Sequence, residues 1–410
     1  MKILQVNKFL YPKGGDAVSM LATGELLRQK GHRVLFWGMA DARNQPQEYP
    51  ETFVPLVDLN AAGGVMESLK VGARLLYSFD AKHRIQDLVQ RERPDLVHLH
   101  NIAHQISPSI LDVLKKHKIP CVMTMHDYKV VCGSYTLLSH GRICELCANG
   151  KYYHCLLEGC VKGSRAKSFL TMVEMYLHHN ILDIYGTVSC FISPSRFLKD
   201  KIVSMGFKKR VKHLSNFADL DRFSPDHHVA GRSVVYAGRL SKEKGLMTLV
   251  DAAAQIPEID FKIIGEGPLK RELEIRVKGL KTGNVQLLGH MPAEELRKEV
   301  GKSMCVVLPS ECNENHPRVV VEAFALGKPV VGSRIGGIPE AVKDGETGLT
   351  FCPGDAEDLA EKLRYATDDA GRLKKWGRSA RNFAEAEYSA DKHYAGLMAI
   401  YDEALSDAAG

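Results

Sequence analysis

The sequence predicts an α/β protein of two doubly wound, Rossmann-like domains facing one another across a cleft. Three observations predict it. Short β-branched runs alternate with amphipathic segments, which is the pattern of a parallel sheet flanked by crossover helices. That pattern runs through the chain twice, with six strand segments each time. A stretch carrying Pro225 and two histidines separates the two series. In 410 residues with 45% hydrophobic content there is enough apolar side chain for roughly two cores of ordinary size. Sheets of this kind bind ligands outside the carboxyl ends of their strands, so the loops there are where chemistry is sought.

In the first half the strands are KILQVN from Lys2, HRVLFWGM from His32, DLVHLHN from Asp95, PCVMTMHD from Pro120, CFISPS from Cys190 and RVKHLSN from Arg210. The first loop holds Gly14 and Gly15, where paired glycines let backbone approach a ligand closely, and Gly31 ends the helix that follows. After the fourth strand, MTMHDYK sets His126 and Asp127 at a strand end. An insert of about residues 132–160 comes next, with the spacing Cys144-x2-Cys147-x7-Cys155-x4-Cys160 and with Cys132, His140 and His154 close by. Four thiolates led by a Cys-x-x-Cys suit a closed tetrahedral zinc site, and a reducing cytosol disfavours stable disulfides. A structural zinc, free thiols and redox pairing all stay open. From Ser164 to Ile184 apolar residues fall at helical spacing beside basic ones, which fits a core-facing helix or one that touches a membrane surface.

A linker of residues 217–231 then divides a first domain, 1–216, from a second, 232–388, and a final helix of about 389–410 is expected to pack back on the first domain. The Asp219-Leu220-Asp221 triplet falls in that linker, beside no strand end, which counts against a metal-bound diphosphate there. The second series of strands is SVVYAGRL from Ser233, DFKIIGEG from Asp260, NVQLLGH from Asn284, CVVLPSE from Cys305, PVVGS from Pro329 and TGLTF from Thr347. After its first strand GRLSKEKG places Arg239 and Lys244 five apart before Gly245; an Arg fork and a Lys point charge converging there suit a diphosphate. GEGP, with Gly267, and LGH, with Gly289, follow the next two strands and are candidates for a base-binding slot. A single Gly-x-Gly lacks the third glycine and downstream acid of a dinucleotide fingerprint, and a Gly-x-x-x-x-Gly-Lys-[Ser/Thr] phosphate loop is absent from the sequence.

The densest segment is PSECNENHPRVVVEAFALGKPVVGSRIGGIP, from Pro309 to Pro339. Glu314 closes its polar loop, Pro317 is expected at the first helical position, and Glu322, eight positions after Glu314, rides about two turns into the helix. The free backbone donors of such a helix start attract an anion, while flanking carboxylates can hold hydroxyls, so one site could grip phosphate and sugar together.

The formal charge of +6 is modest, and no nucleic-acid partner is expected. Lysines cluster at Lys115, Lys116 and Lys118 and again from Lys199 to Lys212, which suits solvated faces or weak attraction to an anionic membrane or a phosphorylated acceptor. No apolar stretch reaches the roughly 18 to 20 residues that span a bilayer, and MKILQVNKFLYPKGG is too short and strand-like for a secretory signal. A soluble, cytoplasmic chain is expected, with peripheral contact at the inner membrane face as a further expectation.

The Glu-x7-Glu element, the GRLSKEKG loop, the GEGP turn, the SRIGGIPE segment and the glycine loop at Gly14 and Gly15 resemble the retaining glycosyltransferases of family four, which have the two-domain GT-B fold. The resemblance covers nearly the whole chain. It implies a hexose transferred from a nucleotide-diphosphate sugar, UDP favoured over GDP, to a sugar or lipid-linked acceptor in surface-polysaccharide assembly, with no obligatory metal or other cofactor in the chemistry. It assigns Glu314 to donor-sugar hydroxyls, Glu322 to the ribose, Arg239 and Lys244 to the leaving diphosphate, Gly15 to the same diphosphate, and His126 to the transferred sugar. Many members have Gly and Phe after the first glutamate where this chain has Asn315, His316 and Pro317; Pro317 cannot donate, so donors from Asn315, His316 and Arg318 would serve. Two other readings are a nucleotide-sugar epimerase, and a non-catalytic module whose Cys-rich insert recruits a partner.

Overall fold

The computed structural model describes residues 1–56, 72–225 and 231–409. The chain divides into two units, one of 1–194, 198–214 and 394–410, the other of 195–197 and 215–393. The first carries β1 (Lys2–Val6), β2 (Arg33–Trp37), β3 (Leu96–Leu99), β4 (Cys121–Thr124), a hairpin of β5 (Leu138–Ser139) and β6 (Arg142–Ile143), then β7 (Cys190–Ser193) and β8 (Val211–His213). Its sheet is parallel in the order β2-β1-β3-β4-β7-β8. Ile3 and Leu4 in the middle of that sheet, with Val97 and Leu99 beside them, are fully buried, because helices cover both faces; that is why these strands read as apolar runs rather than alternations. The helix Ala390–Ala409 is anchored in this unit by buried Tyr401, whose hydroxyl bonds His98 Nδ1 at 2.7 Å, and by Glu403 and Asp407, which pair with Arg210.

The second unit carries β9 (Ser233–Ala237), β10 (Asp260–Ile264), β11 (Val285–Gly289), β12 (Cys305–Leu308), β13 (Val330–Ser333) and β14 (Gly348–Phe351), again all parallel, in the order β11-β10-β9-β12-β13-β14. Its core gathers Val234, Tyr236, Leu249, Phe261, Val307 and Phe351. Buried Asn284 donates to the carbonyls of Ala253, Ile256 and Ile259 at 2.9 to 3.2 Å, which closes the carboxyl end of the helix Leu246–Gln255 and explains a polar residue at the mouth of a strand.

All twelve expected strands form, and the two-residue strands of the hairpin are too short for any periodic signal. Three local differences matter. The stretch expected to link the domains packs in the second unit as far as it is described: Phe217 lies against the His393 ring and the Ala218 amide bonds the Tyr388 carbonyl, while 226–230 of that linker lie outside the described residues. Residues 195–197 also count with the second unit. The helix Arg165–Tyr176 buries Ser168, Thr171, Glu174 and Met175 and exposes Phe169, so the face it turns inward is largely polar, contrary to the apolar stripe expected there.

Candidate active site

In the second unit the crossovers leave β9 and β12 on opposite sides, so the loops after these two neighbouring strands diverge and open a crevice. They are the two loops that carry the paired cations and Glu314. Gly245, at φ 65°, ends the first loop, and a Cβ there would stand 1.8 Å from the Pro309 carbonyl oxygen, so glycine is what lets the loops meet. The Glu311 amide bonds the Glu243 carbonyl at 2.9 Å and Thr248 Oγ1 donates to Glu311 Oε1 at 2.6 Å. Lys244 Nζ then reaches Glu314 Oε1 at 2.5 Å, and Ser310 Oγ donates to the same oxygen at 2.6 Å. Burial opposes the charge on Lys244, but Glu314 and Cys312 beside it outweigh that cost and its pKa is raised. The lysine is therefore a fixed cation with two further N–H donors, and Glu314 is left with Oε2 to accept from a hydroxyl.

The Glu314 backbone is clamped by the next loop. Gly336, at φ 61°, and Gly337 press on it so closely that a Cβ would fall 2.4 Å from the Glu314 carbonyl oxygen and 2.0 Å from that of Asn315. The Gly337 amide bonds the Glu314 carbonyl at 2.7 Å, and Ser195 Oγ donates to Asn315 Oδ1 at 2.7 Å. These contacts are the reason for the glycine pair in SRIGGIPE. The helix runs Arg318–Ala325, with Pro317 one position before it: at ψ 115° the proline is still extended and turns the loop into the helix. Glu322 stands four residues past Arg318, one turn in rather than two, where Arg318 Nη2 meets its Oε1 at 3.3 Å. The ring of His316 stands edge-on to Tyr388, centroids 5.1 Å apart.

Arg239 is exposed, and its carbonyl accepts from Tyr236 Oη at 2.9 Å. The loop after β10 lies against the Arg239 loop backbone to backbone, and the loop after β11 lies against that of β10. The Gly265 amide bonds the Gly289 carbonyl at 2.8 Å, and the Leu240 amide bonds the Glu266 carbonyl at 2.9 Å. A Cβ on Gly267 would stand 2.2 Å from the Leu240 carbonyl oxygen. Gly267 thus sits tight against the Arg239 loop, with Gly289 one loop further along.

In the first unit Gly14 caps the helix Gly15–Gln29 in extended conformation, and both glycines are exposed at the carboxyl end of β1. His126 Nε2 bonds His100 Nδ1 at 2.9 Å, and His100 Nε2 bonds Gln5 Oε1 at 2.9 Å. His126, His100 and Gln5 thus form one hydrogen-bonded chain, which holds the ring of His126 in place. His98 stacks on His100 at 4.3 Å, and His100 on His126 at 5.2 Å. The sequence showed DLVHLHN only as a strand; the signal for the stack is the two-residue spacing of His98 and His100, which puts both on one face. His126, Asp127, Asn101, Lys129 and Tyr185 line a cavity there. Behind it Lys129 Nζ pairs with Glu174 Oε2 at 2.8 Å, both side chains under 10% exposed. Burial raises the Asp127 pKa and lowers that of His104 to about 3.

The four cysteines expected to hold metal converge, and Cys132 joins them: Cys132, Cys144, Cys147, Cys155 and Cys160 line one small cavity with His154. Cys160 Sγ lies 3.2 Å from Cys155 Sγ. Among the described residues no three such side chains yet stand at metal-binding separation. His140 turns elsewhere, bonding the Glu158 carbonyl at 3.0 Å. No helix among the described residues is long and apolar enough to cross a membrane.

Comparison with known proteins gives two family matches: Glycosyltransferase Family 4 over residues 13–222 and Glycosyl transferases group 1 over residues 218–383. Sulfoquinovosyl transferase SQD2 of Arabidopsis thaliana is 36% identical over 37% of this chain, and an uncharacterized glycosyltransferase of Methanocaldococcus jannaschii is 32% identical over 42%. The chain spans less than half the length of both, 30% and 48%. An uncharacterized 42.6 kDa protein in the cps region of Klebsiella pneumoniae is 28% identical over 83% of this chain and 87% of its own. Among solved structures, HepE of Anabaena in complex with UDP superposes with a TM-score of 0.68 at 18% identity, covering 98% of this chain and 100% of that one.

Proposed function

The chain belongs to Glycosyltransferase Family 4 and is a glycosyltransferase of two Rossmann-like domains, and on that premise we propose that it is a retaining hexosyltransferase using a nucleotide-diphosphate sugar, UDP before GDP. The observation that carries this reading is the contact of Lys244 with Glu314 at the strand crossover of the second unit. A cation and a carboxylate sharing one crevice suit a ligand with a diphosphate and a hydroxylated ring. Lys244 and Arg239 take the phosphate oxygens, Glu314 Oε2 a sugar hydroxyl, Glu322 the ribose, and the backbone at Gly267 and Gly289 the base. Asn315, His316 and Arg318 supply the remaining polar groups around the sugar.

In the reaction the anomeric C–O bond to the diphosphate breaks and a C–O bond to the acceptor oxygen forms on the same face. The acceptor hydroxyl proton passes to the departing phosphate oxygen. The charge that grows on the leaving group meets fixed cations and the donors at the start of the helix Arg318–Ala325, so little reorganisation is needed and no divalent metal is required. The family resemblance assigns His126, held by His100 and Gln5, to the transferred sugar, and Gly14 and Gly15 offer backbone donors from a helix start. UDP is favoured because the Anabaena relative is known with UDP bound. Surface-polysaccharide assembly is supported by the Klebsiella relative from a cps region. Exposed Phe169 beside Arg165 and Lys167, and exposed Ile181 and Leu182 further along the same helical run, suit a lipid-linked acceptor and peripheral contact with a membrane.

The test is release of UDP from UDP-hexoses with and without membrane-extracted lipid-linked sugars. Release that depends on acceptor, with the anomeric configuration kept in the product, supports the reading. Conversion of the sugar nucleotide to its epimer without acceptor would replace it with an epimerase.

A further inference from the structure

The Cys-rich insert takes no part in the chemistry above, yet five of the ten cysteines of the chain converge in it. They come from separate pieces of backbone: the turn after β4, the segment after the hairpin, and the short helix Tyr153–Glu158 with its exit. That segment is poorly furnished to hold itself together. Its buried cluster consists of Cys147, Tyr152, Cys155 and Met175, while Tyr135, Ile143, Leu146, Tyr153 and Leu157 are exposed. Its backbone is also costly. Among the described non-glycine residues, four of the eleven with positive φ are Tyr135, Leu137, His140 and Asn149, each worth on the order of 1 to 3 kcal/mol of strain unless something over-determines it. A small, strained, thiol-lined segment with little core calls for a cross-link.

Disulfides fit poorly, since five thiols cannot all pair, every cysteine is free, and the Cys155 and Cys160 sulfurs stand 3.2 Å apart, a thiol hydrogen bond rather than a covalent one. We propose that the insert is a structural metal knuckle that binds one zinc-class divalent ion through four thiolates drawn from Cys132, Cys144, Cys147, Cys155 and Cys160, the fifth remaining as a hydrogen-bonding neighbour. The thiols surround the cavity without yet closing to a tetrahedron; the ion draws four of them in, and their protons leave to solvent. Cys132 is what the sequence pattern left out of the ligand set. Its amide bonds the Tyr128 carbonyl at 2.8 Å, in the loop that also bears His126 and Asp127, so the ion ties the insert to the wall of the first-unit cavity. The metal is structural: it lies in the insert, and the transfer chemistry in the second unit proceeds without it.

The experiment is metal analysis of the full chain purified without chelator, followed by five single Cys→Ser variants. One zinc per chain is expected, replaceable by cobalt(II) with the thiolate-to-metal absorption of a tetrahedral sulfur site, and lost in four of the five variants but kept in the fifth. Stripping the metal from the wild-type chain should lower its Tm, a readout that does not depend on any variant folding. Folded protein without stoichiometric metal, whose five thiols all react with a thiol reagent, would overturn the proposal, as would a Cys155–Cys160 disulfide in the fresh protein.

Discussion

Lys244 and Glu314 are 70 positions apart in sequence and 2.5 Å apart in space, and the function rests on what each can still do once they have met. Both bonds to Glu314 fall on Oε1, which leaves Oε2 to distinguish sugar from bare nucleotide. Glu314→Gln keeps the shape but replaces a charged acceptor, and hydrogen bonds to charged groups are worth about 1.5 to 3 kcal/mol. We expect kcat/KM for the sugar nucleotide to fall about 10- to 100-fold while UDP itself still binds, checked by steady-state kinetics beside calorimetry. Unchanged turnover would remove Glu314 from the donor site. Both residues were legible in the sequence because each stands in a polar loop just past an apolar strand. Their pairing was not, since it depends on which strands are neighbours. His100 escaped notice for a related reason: inside a strand, a histidine shows its role only through the side chains its neighbours present.

At the scale of elements, β-branched runs of four or five residues identified the strands, because a parallel sheet buried on both faces needs apolar side chains at every position. Strand order was beyond the sequence, since any right-handed crossover satisfies the same pattern. The helix Arg165–Tyr176 misled for the opposite reason, its inward face being built from Glu174 and hydroxyls to receive Lys129. The glycines mark close approach of loop to loop, and they can be told apart. Gly245 has φ 65° and the Pro309 carbonyl 1.8 Å from where a Cβ would go; Gly283 has φ 66° with open space around it. Gly245→Ala should cost about 2 to 4 kcal/mol in urea unfolding, strain and clash together, and Gly283→Ala about 1 kcal/mol from backbone strain alone. Equal costs would mean that the two loops can separate freely.

At the scale of the molecule, burial lowers the pKa of several histidines among the described residues, most of all His104 and His179, to about 3, and His393, to about 4. Their ordinary value is about 6.5, so between roughly pH 6.5 and those lower values the unfolded chain binds more protons than the folded one. Stability is therefore full above about pH 6.5 and is lost as pH falls, by up to about 1.4 kcal/mol per pH unit for each histidine. Scanning calorimetry should show Tm dropping steadily from pH 6.5 to pH 4, and a flat profile would mean these rings take up protons while folded. The central claim, that the second unit holds a nucleoside diphosphate, is tested most directly by titrating UDP and GDP separately into the purified chain by calorimetry. Saturable binding of UDP, weakened about tenfold or more in Lys244→Ala, is the predicted result. Folded protein that binds neither diphosphate would contradict it.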